Sequence, residues 1–352
     1  MIKQTRSDSG PPDSGLDFEI GRFCDWLDAK CGDSVRTTIS RMRGGGSCDL
    51  FEILRGESHW VMRRAPANAS SSTAHNVIRE YAILTALQDQ DVRVPRIIGA
   101  REDPDIANAS FYLMEFIDGE VIRRKLPACY QSSPQTQPRI GEELIDTLVE
   151  LHAVDWNNMT LATLGKPENF LERQVDRWMN QLESYRCRDL DEVDDLAKWL
   201  DQNRPPQGEL TFMHGDYKVD NAIYSKAVPP RLLSLVDFEM STIGDPLIDL
   251  AWALIFWPEQ DNLIALAGFH EQGGMDPGFC QSPRQLQQRY AQATGRSLDY
   301  FDWYQAFAAW KLGIVLEGSY AKHLRGESGN PNHGFFGVMV EQLMRRARRY
   351  AV

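Results

Sequence analysis

Met213-His214-Gly215-Asp216-Tyr217-Lys218-Val219-Asp220-Asn221, followed by Leu235-Val236-Asp237-Phe238-Glu239, is the stretch on which the reading of this chain turns. A His-x-Asp loop with Asn five residues beyond the Asp can aim one carboxylate at a substrate hydroxyl while the Asn amide oxygen faces a metal ion. A second Asp, at the end of the apolar run 232–236, supplies another hard oxygen ligand. Mg²⁺ takes a few oxygen ligands alongside substrate phosphates, so Asn221 and Asp237 suit it better than His or Cys would. Asp216, with His214 two residues before it, is the candidate catalytic group, positioned to accept or orient the proton of an attacking hydroxyl. Each motif alone is weak, since an Asp-Asn pair in a loop is ordinary turn or capping chemistry. Their order, each behind a strand-like segment, points to phosphoryl transfer with ATP and Mg²⁺.

Composition narrows the class. A chain of 352 residues with 42% hydrophobic content can bury a sizeable core, and its length fits two lobes better than one. A net charge of -12 argues against a nucleic-acid partner, whose phosphates demand clustered Lys and Arg. The longest apolar run, 247–257, is interrupted by Asp249 and is too short to span a membrane. Residues 1–15 are polar, with Lys3 and Arg6 but no apolar stretch behind them, which predicts a disordered lead-in rather than a secretory signal. The six cysteines show no metal-ligand pairing and no dense framework, as expected of free thiols in the cytoplasm.

Outward from the loop, the first part of the chain predicts a small sheet. Phe18, Ile20, Phe23, Trp26 and Leu27 fall at mostly helical spacing and predict a leading helix ending near Gly32. Strand-like runs follow at 37–43, 50–54 and 60–64, with Gly44-Gly45-Gly46-Ser47 between the first two. Three glycines there are either a flexible hairpin or a loop whose bare N–H groups approach phosphates closely; the downstream catalytic loop favours the second. A helix is expected over 73–87 and strands over 96–100 and 110–116. The Pro-, Gln- and Ser-rich stretch 127–138 reads as a loop, and amphipathic helices are expected over 140–153, 167–185 and 190–200. His152 reads as a packed or helix-terminal histidine. Trp303, Tyr304, Phe307, Trp310 and Leu312 read as core, and Arg345, Arg346, Arg348 and Arg349 as a solvated face.

The segment 213–221 resembles the catalytic loop of the aminoglycoside phosphotransferase family, and Gly244-Asp245-Pro246-Leu247-Ile248-Asp249-Leu250-Ala251-Trp252 resembles that family's next block. The resemblance covers roughly residues 37–325. Among branches it is most similar to the one found with acyl-CoA dehydrogenases, through Ala74-His75-Asn76-Val77-Ile78-Arg79-Glu80-Tyr81, Leu148-Val149-Glu150-Leu151-His152 and Phe170-Leu171-Glu172-Arg173-Gln174-Val175-Asp176-Arg177-Trp178. It implies an α+β, bilobal protein-kinase-like fold, with a small antiparallel-sheet N-lobe over 16–116 and a larger, mainly helical C-lobe over 117–352. It further implies that Asp249 bonds the catalytic-loop backbone. Glu115 and Phe116 would form an inter-lobe hinge whose backbone pairs with adenine.

The usual third-strand Lys is replaced by Arg63, with Glu80 as its expected partner; Arg can contact phosphates with two donors but is bulkier than Lys. The nucleotide-binding set is then Gly44, Gly45, Gly46, Ser47, Arg63, Glu80, Glu115 and Phe116, with Asn221 and Asp237 for the metal. The implied acceptor is a hydroxylated small molecule, with a CoA thioester favoured by the segment matches. An aminoglycoside would prefer an acidic pocket, for which Asp189, Asp191, Glu192, Asp194 and Asp195 are available unless they form only an exposed loop. A nucleotide-binding pseudokinase with a regulatory or scaffold role, and a binding protein that keeps only the fold, are the rival readings.

Overall fold

The computed structural model describes residues 16–42, 48–66, 77–123, 125–157, 160–258, 275–276 and 278–352. Two compact units divide the chain: Met1–Gln88 with Pro95–Ile117, and Asp89–Val94 with Asp118–Val352. The lead-in 1–15 and the glycine run 44–47 lie outside the described residues.

In the first unit, α1 (Ile20–Cys31) stops where Gly32 takes a left-handed φ of 75° and its N–H bonds back to Asp28 O, the ordinary glycine solution to a helix end. Strands β1 (Thr37–Arg41), β2 (Asp49–Arg55) and β3 (Ser58–Arg64) pair antiparallel in sequence order. After α2 (Val77–Ala86), β4 (Ile97–Arg101) and β5 (Phe111–Glu115) complete a five-stranded sheet of order β1-β2-β3-β5-β4. Alternation along the strands buries Ile39, Phe51, Ile53, Trp60, Met62, Phe111 and Leu113 against Phe18, Phe23 and Leu27. Fully burying each large apolar side chain of this kind stabilises the unit by roughly 1.5–3 kcal/mol.

The second unit opens with the short β6 (Glu120–Val121), then α3 (Ala128–Gln131) and α4 (Gln137–His152). The stretch expected as a loop over 127–138 is therefore largely helical turn: Pro134 and Pro138 each stand at the start of a helical segment, where a missing N–H removes no bond. Helices α5 (Glu172–Glu183) and α6 (Asp191–Gln202) follow. The acidic run 189–195 leads into α6 rather than forming a loop, and Asp194 pairs with Arg186 at 2.7 Å.

Strands β7 (Thr211–Met213), β8 (Ala222–Tyr224), β9 (Leu232–Leu235) and β10 (Thr242–Gly244) make two small sheets, β10-β7 and β6-β8-β9. Arg93 ties this part together, donating to Glu143 and Glu150 at 2.6 Å and to Leu232 O at 2.9 Å. Helix α7 (Pro246–Ile255), capped by Asp245 on Leu247 N–H, is buried along its whole length. Helices α8 (Pro283–Thr294), α9 (Phe301–Leu324) and α10 (Phe336–Tyr350) close the unit. On α10, Arg345, Arg348 and Arg349 are exposed as expected, but Arg346 turns inward and donates to Ile255 O at 3.0 Å. No helix among the described residues is long and apolar enough to cross a membrane.

Candidate active site

Pairing of β8 with β9 builds the candidate metal site. Ala222 faces Leu235 in the register, and one step further Val236 N–H donates to Asn221 O at 3.0 Å. Asn221 and Asp237 therefore leave the ends of adjacent strands side by side. Asp237 takes a left-handed φ of 71°, uncommon for a residue with a Cβ, as it turns into the 3-10 segment Phe238–Met240.

The Asn221 side-chain amide donates to Asp216 O at 2.9 Å and to Asp216 Oδ2 at 3.0 Å. Both partners are acceptors, which fixes the nitrogen on that side and turns the amide oxygen away from Asp216. Asn221 and Asp237 thus offer two hard oxygen donors, a set that fits Mg²⁺ when phosphates supply the rest. Among the described residues, no cluster of three His, Cys, Asp or Glu surrounds a metal position.

Asp216 is held by both carboxylate oxygens. Oδ2 also accepts from Lys218 Nζ at 2.7 Å, and Oδ1 accepts from the Trp252 indole N–H at 2.7 Å. Burial alone would raise the pKa of this carboxyl, but the charge and hydrogen bond of Lys218 and the Trp252 donor together hold it below the ordinary carboxylate value. It is therefore an anion at neutral pH, as a proton acceptor must be. Neighbouring Asp220 moves the other way, pushed up by burial.

The loop hangs from Asp249. Its Oδ2 accepts from His214 N–H at 2.7 Å and its Oδ1 from Gly215 N–H at 2.9 Å, the role the resemblance implied. Gly215 has φ 82°, and a Cβ there would meet Met240 O at 2.2 Å, so only glycine fits. His214 is 0% exposed, with its ring bonded to Val236 O at 3.0 Å and to Asp216 N–H at 3.3 Å. The sequence grouped His214 with Asp216 as catalytic. In the structure its ring is enclosed and ties the loop to Val236, next to Asp237. His152, the last residue of α4, is buried, held neutral by that burial, and bonded to the Tyr290 hydroxyl at 2.7 Å.

Arg63 and Glu80 belong to the first unit. Arg63 Nε lies 2.9 Å from Glu80 Oε2, and Glu80 is only 1% exposed. Alternation along β3 sends Arg64 to the opposite face, where it meets Asp17 and Asp49 and stacks on Phe18 and Phe51. At the expected hinge, Glu115 N–H donates to Arg96 O and Phe116 N–H to His59 O, while the Phe116 ring stacks on His59 at 3.7 Å. Those two N–H groups are bonded inside the unit.

Three neighbours of Asp216 were not assigned from sequence: Lys218 and Trp252, although both stand inside the quoted motifs, and Lys311. The signal for Lys311 is a single cation in the apolar run Ala306-Phe307-Ala308-Ala309-Trp310-Lys311-Leu312-Gly313-Ile314. It is 7% exposed, and its ammonium sits 3.9 Å from the centre of the Trp252 ring and 5.1 Å from that of Trp178.

Comparison with known proteins places this geometry. Chicken acyl-CoA dehydrogenase family member 11 is 29% identical over 316 residues, covering 87% of this chain and 39% of that protein. Mouse acyl-CoA dehydrogenase family member 10 is 26% identical over 307 residues, 87% of this chain and 28% of that protein. The chain thus spans well under half the length of these relatives.

Among solved structures, a Ralstonia eutropha protein provisionally assigned as an aminoglycoside phosphotransferase superimposes with a TM-score of 0.79 at 25% identity, covering 95% of this chain and 98% of that one. A type I macrolide 2'-phosphotransferase shares the fold, with a TM-score of 0.60 at 18% identity over 90% and 94% of the two chains. The fold is the bilobal, α+β protein-kinase-like one. The model of the phosphotransferase enzyme family matches residues 38–308, and the chain belongs to that family, as a small-molecule kinase.

Proposed function

We propose that this kinase uses ATP and Mg²⁺ and transfers the γ-phosphoryl group to a hydroxyl of a small molecule, with a hydroxyacyl-CoA as the acceptor class. The observation that carries the reading is the double hold on Asp216: Trp252 and Lys218 fix its carboxylate as an anion, and Asn221 ties it to the candidate metal pair. Asp216 orients the acceptor hydroxyl and takes its proton as the new P–O bond forms and the bond to the β-phosphate bridging oxygen breaks, releasing ADP. Asn221 and Asp237 would hold Mg²⁺, whose chemistry when bound is to neutralise charge on the nucleotide's phosphate oxygens. Arg63, braced by Glu80, is assigned to the nucleotide phosphates, together with the glycine run 44–47. The names of the acyl-CoA dehydrogenase relatives support the CoA-linked acceptor and a functional association with such a dehydrogenase. A cytoplasmic setting, with all six cysteines as free thiols, is part of the same reading.

ADP release over a panel of hydroxyacyl-CoAs, with and without Mg²⁺, tests it. Asp216→Asn should keep the fold and nucleotide affinity but lower turnover on the order of 10²-fold or more, the usual contribution of a positioned base. Full turnover in that variant, or turnover indifferent to Mg²⁺, overturns the assignment.

A further inference from the structure

Lys311 lies beside the catalytic carboxylate without an anion of its own. It projects from α9 between two indole faces, Trp252 at 3.9 Å and Trp178 at 5.1 Å, and among the described residues it has no carboxylate or carbonyl partner. The Trp252 ring it stacks on is the one whose N–H donates to Asp216 Oδ1. The ammonium is therefore one ring away from the group that receives the acceptor hydroxyl.

The nearby anions are already committed. Asp216 answers Lys218, Trp252 and Asn221, and Asp249 answers the His214 and Gly215 amides. Asp216 and Asp249 are close enough for their charge to act on Lys311, but Arg177 and Lys218 act on it with like charge. Arg177 itself lies 5.7 Å from the Trp178 ring. Lys311 and Arg177 both lie over the Trp178 ring in a chain whose net charge is -12.

An ammonium on a residue only 7% exposed, with no bonded partner, is costly and is retained where it does something. We infer that Lys311 is the specificity-determining residue of the acceptor site, its ammonium meeting a negatively charged group of the acceptor while the indole walls of Trp178 and Trp252 take the acceptor's apolar body. A polycationic acceptor such as an aminoglycoside would meet repulsion at this point. The inference rests on the proposed phosphotransfer at Asp216.

The test uses binding as well as turnover, so that the two can fail separately. Quenching of tryptophan fluorescence measures affinity, without ATP, for octanoates hydroxylated at carbon 3, 4 or 5, for their neutral amides, for their CoA thioesters, and for kanamycin. ADP release is followed in parallel. For at least one hydroxyl position an anionic form should bind on the order of tenfold or more tighter than the amide, the discrimination expected of a charge-assisted hydrogen bond. Lys311→Met should bring that ratio close to one, and Lys311→Arg should keep most of it, which also controls for folding. A preference for the free acid identifies the anion as the carboxylate. A Lys311-dependent preference confined to the thioester places it on the CoA phosphates.

Equal affinity for acid, thioester and amide in the unsubstituted protein overturns the inference, as does a preference that survives in Lys311→Met. Tightest binding of kanamycin, binding of none of the probes, or a loss in Lys311→Met confined to ADP affinity overturns it as well. Absence of ADP release with every probe, while Lys311-dependent binding persists, overturns the phosphotransfer reading and leaves this one standing.

Discussion

Replacing Lys311 with Met should make the protein more stable at neutral pH, although the substitution deletes a charged group next to the catalytic loop. Burial lowers the Lys311 ammonium from its ordinary 10.5 to about 8, only partly offset by the charges of Asp216 and Asp249. A drop of that size corresponds to roughly 3 kcal/mol of destabilisation carried by the protonated form. Stacking on Trp252 and Trp178 returns about 1–2 kcal/mol, so the net gain in Lys311→Met is on the order of 1–2 kcal/mol. Met has the length and flexibility to fill the space between the indoles.

The sign of the pH dependence follows from the direction of the shift. The folded-state value lies below the unfolded one, so the unfolded chain binds the proton more tightly. The penalty is then complete below pH 8, shrinks between pH 8 and about 10.5, and is absent above. Urea unfolding followed by far-ultraviolet circular dichroism at pH 7, 8 and 9.5 measures it. Lys311→Met should have the higher midpoint at pH 7 with an unchanged slope, and the difference between the two proteins should narrow steadily toward pH 9.5. A variant less stable at pH 7, or a difference that does not narrow with pH, would refute the argument that Lys311 is an uncompensated buried cation.

Three further outcomes follow from the geometry. Asp249→Asn faces an amide NH₂ toward a backbone N–H that was satisfied, so it should lose about 1–3 kcal/mol in urea unfolding and slow ADP release; a variant matching the parent in both assays removes Asp249 from its role. Trp252→Phe withdraws one donor that lowers the pKa of Asp216, so the acidic limb of the pH–rate profile should move to higher pH, and a limb that stays put would show that Trp252 does not tune the carboxyl. Arg63→Ala takes one ion-pair partner from the buried Glu80, which should destabilise the first unit and weaken ATP binding, whereas Arg63→Lys should keep part of both; equal ATP affinity in all three proteins would take Arg63 out of the nucleotide site.

Much of this was legible in sequence because it is written in short-range patterns. The Gly32 helix stop, the alternation of β2 and β3 and the spacing from Asp216 to Asn221 are all local, and Asp249 stood in a block with its own signature. What escaped was set by tertiary contact. Lys218 and Trp252 meet at Asp216, and Lys311 stacks on Trp252, from a loop and from two helices, α7 and α9, and no local pattern says which face of a buried helix turns toward a loop far away in sequence. The enclosure of His214 was set in the same way, since its ring bonds to Val236, a residue 22 positions on. That the Glu115 and Phe116 amides bond to Arg96 O and His59 O was likewise beyond sequence, since a strand end that looks free can still find acceptors across a sheet. The turns over 127–138 were misjudged because Pro was taken as a breaker where it serves as a helix start.

The Asn221 side chain has a further use as a spectroscopic reporter. Its NH₂ points at Asp216, which turns its amide oxygen away from that carboxylate, and its backbone carbonyl is fastened to Val236, next to Asp237. A single ¹⁵N-labelled amide group, observed by NMR, would feel protonation of Asp216 through its hydrogens and arrival of a cation through its oxygen. Titrating pH and Mg²⁺ in turn would separate the two influences on one resonance, and would follow the readiness of the site without any acceptor in hand.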